Sequence, residues 1–354
     1  MKDSGYRVVV VGGSSLLGRE LVAVLEERRF PIASLKLVED ESAEPELPLV
    51  DLVQGAPPTF DPEAEIPDDF DFAFVAAPLE RLKRWRERLK SQPGKAAGRR
   101  AVIELSAQSP QSACPELRVP FLDRLPAAGQ NPPAGRESGV VVSPHAATIM
   151  ISALMLRLAA QFPLRKAVAQ LFSPASEIGP RAIEELQKQT VNLLSCQKFP
   201  REVFGGQIAF NLLPRLGAPG EKADPLEGRI RRQLQTYLGS RVPMPALRLF
   251  QVPVFYSIAL SLYVETEERV APVDLVAALE GPPLKIRRGS QKPPSQVEAA
   301  GSNEILVDAI ELDASCPAGV WLWAVADNLR LTALNAAQIA EGLLDRRKAL
   351  NLLR

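Results

Sequence analysis

The chain has 354 residues, with 42 Lys and Arg against 42 Asp and Glu, and a single histidine. A net charge of zero offers no basic field to hold nucleic acid and no acidic tail for a basic partner. No apolar run reaches the ~20 residues that cross a bilayer, so no membrane contact is expected. Three scattered cysteines (Cys114, Cys196 and Cys316) fit a reduced compartment rather than a disulfide framework, and with one histidine they provide no metal-ligand spacing. The N-terminus enters an apolar strand without the stretch of a signal peptide, so a soluble cytoplasmic protein is expected.

Residues 6–11 are β-branched and continuously apolar, as in a parallel strand covered on both faces. Gly12-Gly13-Ser14-Ser15-Leu16-Leu17-Gly18 follows, after which Leu17, Leu21, Val24 and Leu25 line one helical face. Pro31 ends that helix, and residues 34–38 read as a second strand. Strand, glycine turn, helix and strand in this order open a doubly wound α/β fold.

A dinucleotide turn uses three glycines: one for the turn, one for backbone approach to the pyrophosphate, and one for helix–strand packing. Gly12 and Gly18 fill the first and last roles. Ser15 takes the middle, where its Cβ crowds the approach while its hydroxyl offers a donor. The cofactor set read here is Gly12, Ser14, Ser15, Leu16 and Gly18. Glu39 stands about 20 residues on, where an acid holds a ribose 2′-hydroxyl and favours NAD over NADP. The competing reading is that the glycines only make the turn and the acid is solvated.

Residues 39–70 are acidic and rich in proline and read as a looped or edge region. Residues 72–77 are a buried strand, 79–90 a basic helix, 101–106 another strand, and 125–138 a Pro/Gly/Ala-rich boundary loop. Val140 to Val142 then leads through Ser143-Pro144-His145-Ala146-Ala147-Thr148 into a helix over 149–162. Enzymes often place a nucleophile at such a strand-to-helix turn, yet this one holds no cysteine. His145 is the only imidazole available as a base; capping or packing is its other role. Strands are expected over 251–255 and 261–265, a loop over 282–302, and an Ala/Leu-rich helix through 344 after a strand at 321. Arg229, Arg231 and Arg232 read mainly as a solvated helix face.

Further strings carry a resemblance. They are Ser176 and Gly179 followed by Glu184-Glu185-Leu186, Ile208-Ala209-Phe210-Asn211-Leu212-Leu213-Pro214, Asp327-Asn328-Leu329-Arg330, and Asn335-Ala336-Ala337-Gln338-Ile339-Ala340-Glu341. With the glycine turn, and in this order, they resemble the aspartate-semialdehyde dehydrogenase family over the whole chain. The resemblance implies a Rossmann-type dinucleotide-binding domain over 1–142, completed by the C-terminal helix over 325–354. It also implies an α+β dimerisation and substrate domain over 143–324 that pairs into a homodimer through its sheet. The chemistry implied is reductive dephosphorylation of an acyl phosphate through a cysteine thioester, with a histidine as acid–base and a nicotinamide as hydride donor.

Carried over by position, those groups are missing. The family's Asn-Pro-Asn-Cys-x-Thr string falls on residues 143–148, which puts Ala146 at the nucleophile. Its orienting glutamine falls at Ser173. Its Arg-Val-Pro-Val-x-x-Gly-His-Ser string reads Gln251-Val252-Pro253-Val254-Phe255-Tyr256-Ser257-Ile258-Ala259. Gln251 therefore stands for the substrate arginine and Ile258 for the catalytic histidine. A methyl group forms no thioester and isoleucine moves no proton. Arg229 is the best match for a substrate-facing basic residue, and Asn328 matches a cofactor-binding position. The resemblance thus implies the fold and the dimer without the reaction, with NAD or NADP binding only partly preserved. The alternative is an NAD(P)-dependent oxidoreductase that needs no cysteine and uses His145 for proton transfer. A pure scaffold with no cofactor is the third reading.

Overall fold

The computed structural model describes residues 5–38, 69–76, 100–105, 116–124, 140–214, 225–287 and 292–352. Glu39, Cys114, the helix expected over 79–90 and most of the loop expected over 39–70 lie outside them. The chain divides into two compact units. One comprises Met1–Pro120, Pro133–Pro144 and Thr332–Arg354, and the other comprises Phe121–Pro132 and His145–Leu331. The breaks fall after Pro144 and Leu331, and Phe121–Pro132 groups with the second unit rather than with residues 1–142.

In the first unit, strands β1 (Tyr6–Val11), β2 (Ile32–Val38), β3 (Phe72–Val75), β4 (Ala101–Glu104), β5 (Glu116–Leu117) and β6 (Val140–Val142) form an all-parallel sheet ordered β2-β1-β3-β4-β6-β5. The order reverses between β1 and β3, so the crevice beyond their carboxyl ends is the switch point of a doubly wound sheet. Helix α1 (Leu16–Glu27) starts there. Val8, Val10, Phe72, Phe74 and Ile103 pack with Leu21, Val24 and Leu25 of α1 on one face of the sheet. The same core takes in Ala333, Ala336, Ala337 and Ala340 from the last helix (Asn328–Leu352), whose first four residues belong to the second unit. Four alanines let that helix lie close to its neighbours.

The second unit is built on helix α2 (Ala146–Ala159) and a mixed sheet. The sheet comprises β7 (Leu164–Ser173), β8 (Ala246–Gln251), β9 (Ile258–Thr266), β10 (Leu284–Ile286), β11 (Ile305–Leu312) and β12 (Gly319–Ala326), ordered β10-β11-β12-β9-β7-β8. Helix α2 is apolar all round and buried from Ala146 to Leu158, as a helix inside a core must be. It starts three residues earlier than its periodicity suggests, because His145 caps it. Its one charge, Arg157, donates from Nη1 to the carbonyls of Leu279, Glu280 and Gly281 and from Nη2 to that of Pro282, at 2.6–2.9 Å, closing the end of α5 (Pro272–Leu279). Helices α3 (Pro180–Leu194), α4 (Pro225–Leu238) and α6 (Gln296–Ala299) complete the unit, and α7 is the Asn328–Leu352 helix.

Two local expectations change. The strand expected over 251–255 ends at Gln251, since Pro253 lacks the N–H that would extend the ladder. The loop expected over 282–302 contains β10 and α6. Side chains on one face of the sheet (Ala169, Leu171, Leu247, Leu249, Leu260, Leu262) are buried, while Val168, Gln170, Phe172, Ser261, Tyr263 and Trp323 on the other keep partial exposure.

Candidate functional site

In the first unit the glycine turn is tightly made. Gly12 has φ +77° and donates its N–H to Val38 O at 2.7 Å. A Cβ on Gly18 would sit 2.1 Å from Gly12 O, so only glycine lets α1 approach the turn. Ser15 caps α1: its Oγ donates to Gly12 O at 2.7 Å and accepts from Gly18 N–H at 3.0 Å. The hydroxyl read from sequence as a phosphate donor is therefore engaged in closing the turn. Ser14 precedes that cap and Leu16 is the first residue of α1.

The second unit holds the remaining predicted residues and adds two that sequence reasoning missed, Glu177 and Gln233. His145 is the N-cap of α2, its Nδ1 accepting from Ala147 N–H at 3.1 Å. With Nδ1 accepting, the ring proton lies on Nε2, which faces Glu177 Oε1 at 2.7 Å. Glu177 ends a short 3₁₀ turn (Ala175–Glu177) beyond β7. Its Oε2 accepts from Asn328 Nδ2 at 3.1 Å, and its Oε1 lies 3.7 Å from Arg229 Nη2. Asn328 Oδ1 accepts in turn from Ser257 N–H at 3.1 Å and Ser176 Oγ at 3.2 Å. From α4, Gln233 Oε1 accepts from His145 N–H at 3.0 Å and from Thr148 Oγ1 at 2.9 Å.

Burial alone would push the Glu177 carboxyl up. The hydrogen bond from His145, the Arg229 guanidinium and the Asn328 amide outweigh it and hold the group well below the usual carboxylate range. The carboxylate is thus ionised, enclosed and surrounded by donors. Arg229 belongs to this cluster rather than to a solvated face, its side chain being only 20% exposed. Arg231, by contrast, pairs at the surface with Glu227.

The positions carried over from the family are buried. Ala146 and Ile258 have no exposed surface. Gln251 and Ser173 face each other across the carboxyl ends of β8 and β7, and Gln251 Nε2 donates to Ser173 O at 3.0 Å. The backbone thus holds the amide that replaces the family's arginine. Among the described residues, Ser173 Oγ, Gln251 Oε1 and Ser257 Oγ have no hydrogen-bond partner. Ser257 has φ +70°, a left-handed conformation that costs a side-chain-bearing residue, and it replaces a glycine of the family's string. Glycine itself is kept at Gly179, whose φ of +124° opens α3. No group of three or more His, Cys, Asp or Glu suited to a metal occurs among the described residues, and no helix among them is long and apolar enough to cross a membrane.

A family model described as semialdehyde dehydrogenase, dimerisation domain, matches residues 155–331. The USG-1 protein homolog of Pseudomonas aeruginosa is 30% identical over 346 residues, covering 95% of this chain and 97% of that one. The chain belongs to the semialdehyde dehydrogenase family. The aspartate-semialdehyde dehydrogenase of Aquifex aeolicus is 25% identical over 343 residues, with 95% and 97% covered. The solved structure of a probable aspartate-semialdehyde dehydrogenase from Pseudomonas aeruginosa superposes with a TM-score of 0.81 at 28% identity, covering 95% of this chain and 98% of that one. The two-sheet α/β architecture is that of these relatives.

Glu177 left one trace in the sequence. The resemblance aligns Ser176-Glu177-Ile178-Gly179 with a Ser-Gly-x-Gly string of the family, which sets Glu177 against a glycine. Gln233 left only its i+4 spacing from Arg229, which puts both on one face of α4.

Proposed function

We propose that this chain is a non-catalytic member of the semialdehyde dehydrogenase family, keeping the fold and subunit pairing without the acyl-transfer chemistry. One observation carries the reading. The helix start that would activate a thiolate presents the enclosed methyl of Ala146, and both ring nitrogens of the neighbouring His145 are engaged. A thioester needs a sulfur nucleophile and a base that can reach it; this helix start supplies neither. Proton transfer by His145 without a cysteine is the weaker reading, because its Nε2 points at a carboxylate and its Nδ1 caps α2.

Pairing is supported by the matched dimerisation-domain family and by the open sheet face carrying Ser261, Tyr263 and Trp323. The homodimer is the partner arrangement we assign. NAD or NADP would meet the turn at Gly12, Ser14, Ser15, Leu16 and Gly18, where the Gly18 contact fits the close packing such a turn requires. The nicotinamide would supply hydride chemistry when bound. Asn328 contributes less than its family position implies, since its amide already holds Glu177, Ser176 and Ser257.

Following NADPH and NADH absorbance with aspartyl phosphate, and the reverse reaction with the semialdehyde, tests the reading. No turnover above a blank is expected, and sustained turnover overturns it. Calorimetric titration with NAD and NADP separates a cofactor-binding protein from a scaffold.

A further inference from the structure

The Glu177 carboxylate and the three cationic or N–H groups facing it come from four separate elements. His145 Nε2 starts α2, Arg229 Nη2 extends from α4, Asn328 Nδ2 starts α7, and Glu177 itself ends the turn after β7. They surround one carboxylate that is 10% exposed. Three converging donors, one of them permanently cationic, are the elements from which proteins build oxyanion sites. The carboxylate adjoins the amino end of α2, where the helix dipole also favours negative charge.

We propose that His145, Arg229 and Asn328 form an oxyanion-binding subsite, and that Glu177 is its tethered occupant, closing it to free carboxylates and phosphates. Such a tether has a high effective concentration, because the 3₁₀ turn and Gly179 fix the backbone within reach. A free oxyanion would have to displace a group that never leaves the chain. The inference rests on the non-catalytic reading in one respect only: the subsite takes no anionic substrate in the native chain.

Truncating the occupant should expose the subsite. In Glu177→Ala the tethered carboxylate is gone, and acetate or formate should fill the gap it leaves. Thermal unfolding with sodium acetate, against sodium chloride at equal ionic strength, reads this directly. Acetate should raise the Tm of Glu177→Ala by about 2–5 °C once it exceeds its Kd roughly tenfold. Wild type and Glu177→Gln, whose subsites are filled, should show no difference between the two salts. Equal shifts in all three proteins, or none in Glu177→Ala, overturn the proposal. Should Glu177→Ala refold poorly, its refolding yield in acetate against chloride gives the same comparison, and equal yields overturn it.

The single histidine supplies a second measurement. In protein labelled with ¹⁵N-histidine, every imidazole signal comes from His145. Its Nε2–H resonance should be protected from exchange in wild type, lost in Glu177→Ala and restored by acetate. A resonance unchanged by the truncation also overturns the assignment. Neither readout depends on turnover, so failure here and failure of the non-catalytic reading are told apart.

Discussion

Glu177 Oε1 and His145 Nε2 lie 2.7 Å apart, joining the chain's only imidazole to a carboxylate where the family's string has a glycine. The contact engages Nε2 of that imidazole, and several measurable consequences rest on it and its surroundings.

The first is the pH dependence of stability. The folded Glu177 carboxyl is held at about 2, below its ordinary 4.5, so its contribution is complete above about pH 4.5 and is lost as pH falls towards 2. At neutral pH, Glu177→Gln should unfold more readily in urea by up to about 3 kcal/mol. That gap should narrow below pH 4.5 and close near pH 2. A gap that is constant with pH would assign the loss to packing instead of charge.

Restoring two groups should not restore the enzyme. Ala146→Cys with Ile258→His returns a thiol and an imidazole to buried positions. Gln251 still lacks a cation, however, and its amide stays bound to Ser173 O. Activity at least about 10³-fold below that of an active relative is expected, since such groups act as a unit. A rate within tenfold of the relative would show that the remaining pocket is intact.

Ser257 is the clearest trace of a lost glycine. Its φ is +70°, and its buried Oγ has no partner among the described residues. Relief of the left-handed backbone and removal of the orphan hydroxyl should outweigh the entropy cost of glycine. Ser257→Gly should therefore stabilise the chain by about 1 kcal/mol in chemical denaturation. Net destabilisation would mean that the hydroxyl finds a partner, such as a bound water.

The open sheet face provides the test of pairing. Ser261 sits mid-sheet on β9, opposite Gln170 of β7 and Trp323 of β12. Ser261→Arg places a cation in the middle of that face with little effect on the core. Light scattering should show the mass halve from dimer to monomer, with the circular dichroism spectrum unchanged. A dimer that survives this change pairs through another surface.

Much of the fold was legible because it is written in local chemistry. The valines of β1, the spacing of Gly12 and Gly18, the apolar run of α2 and the alanines at 333, 336, 337 and 340 each dictate one element and what packs on it. That positions 146 and 258 carry neither thiol nor imidazole was legible for the same reason, being a matter of residue identity. The end of β8 and the start of α2 were read less well, since a missing N–H at Pro253 and a single capping hydrogen bond at His145 set them.

The sequence by itself determined the family's architecture and the methyl and sec-butyl side chains at Ala146 and Ile258, because apolar period, glycine placement and residue type act locally. Only the tertiary structure decided what surrounds the one histidine. His145, Glu177, Arg229 and Asn328 are up to 183 residues apart in sequence. Nothing in their spacing requires them to meet. Burial brings them together, and an enclosed charge must find donors wherever the fold supplies them. In this chain the only histidine became one of those donors.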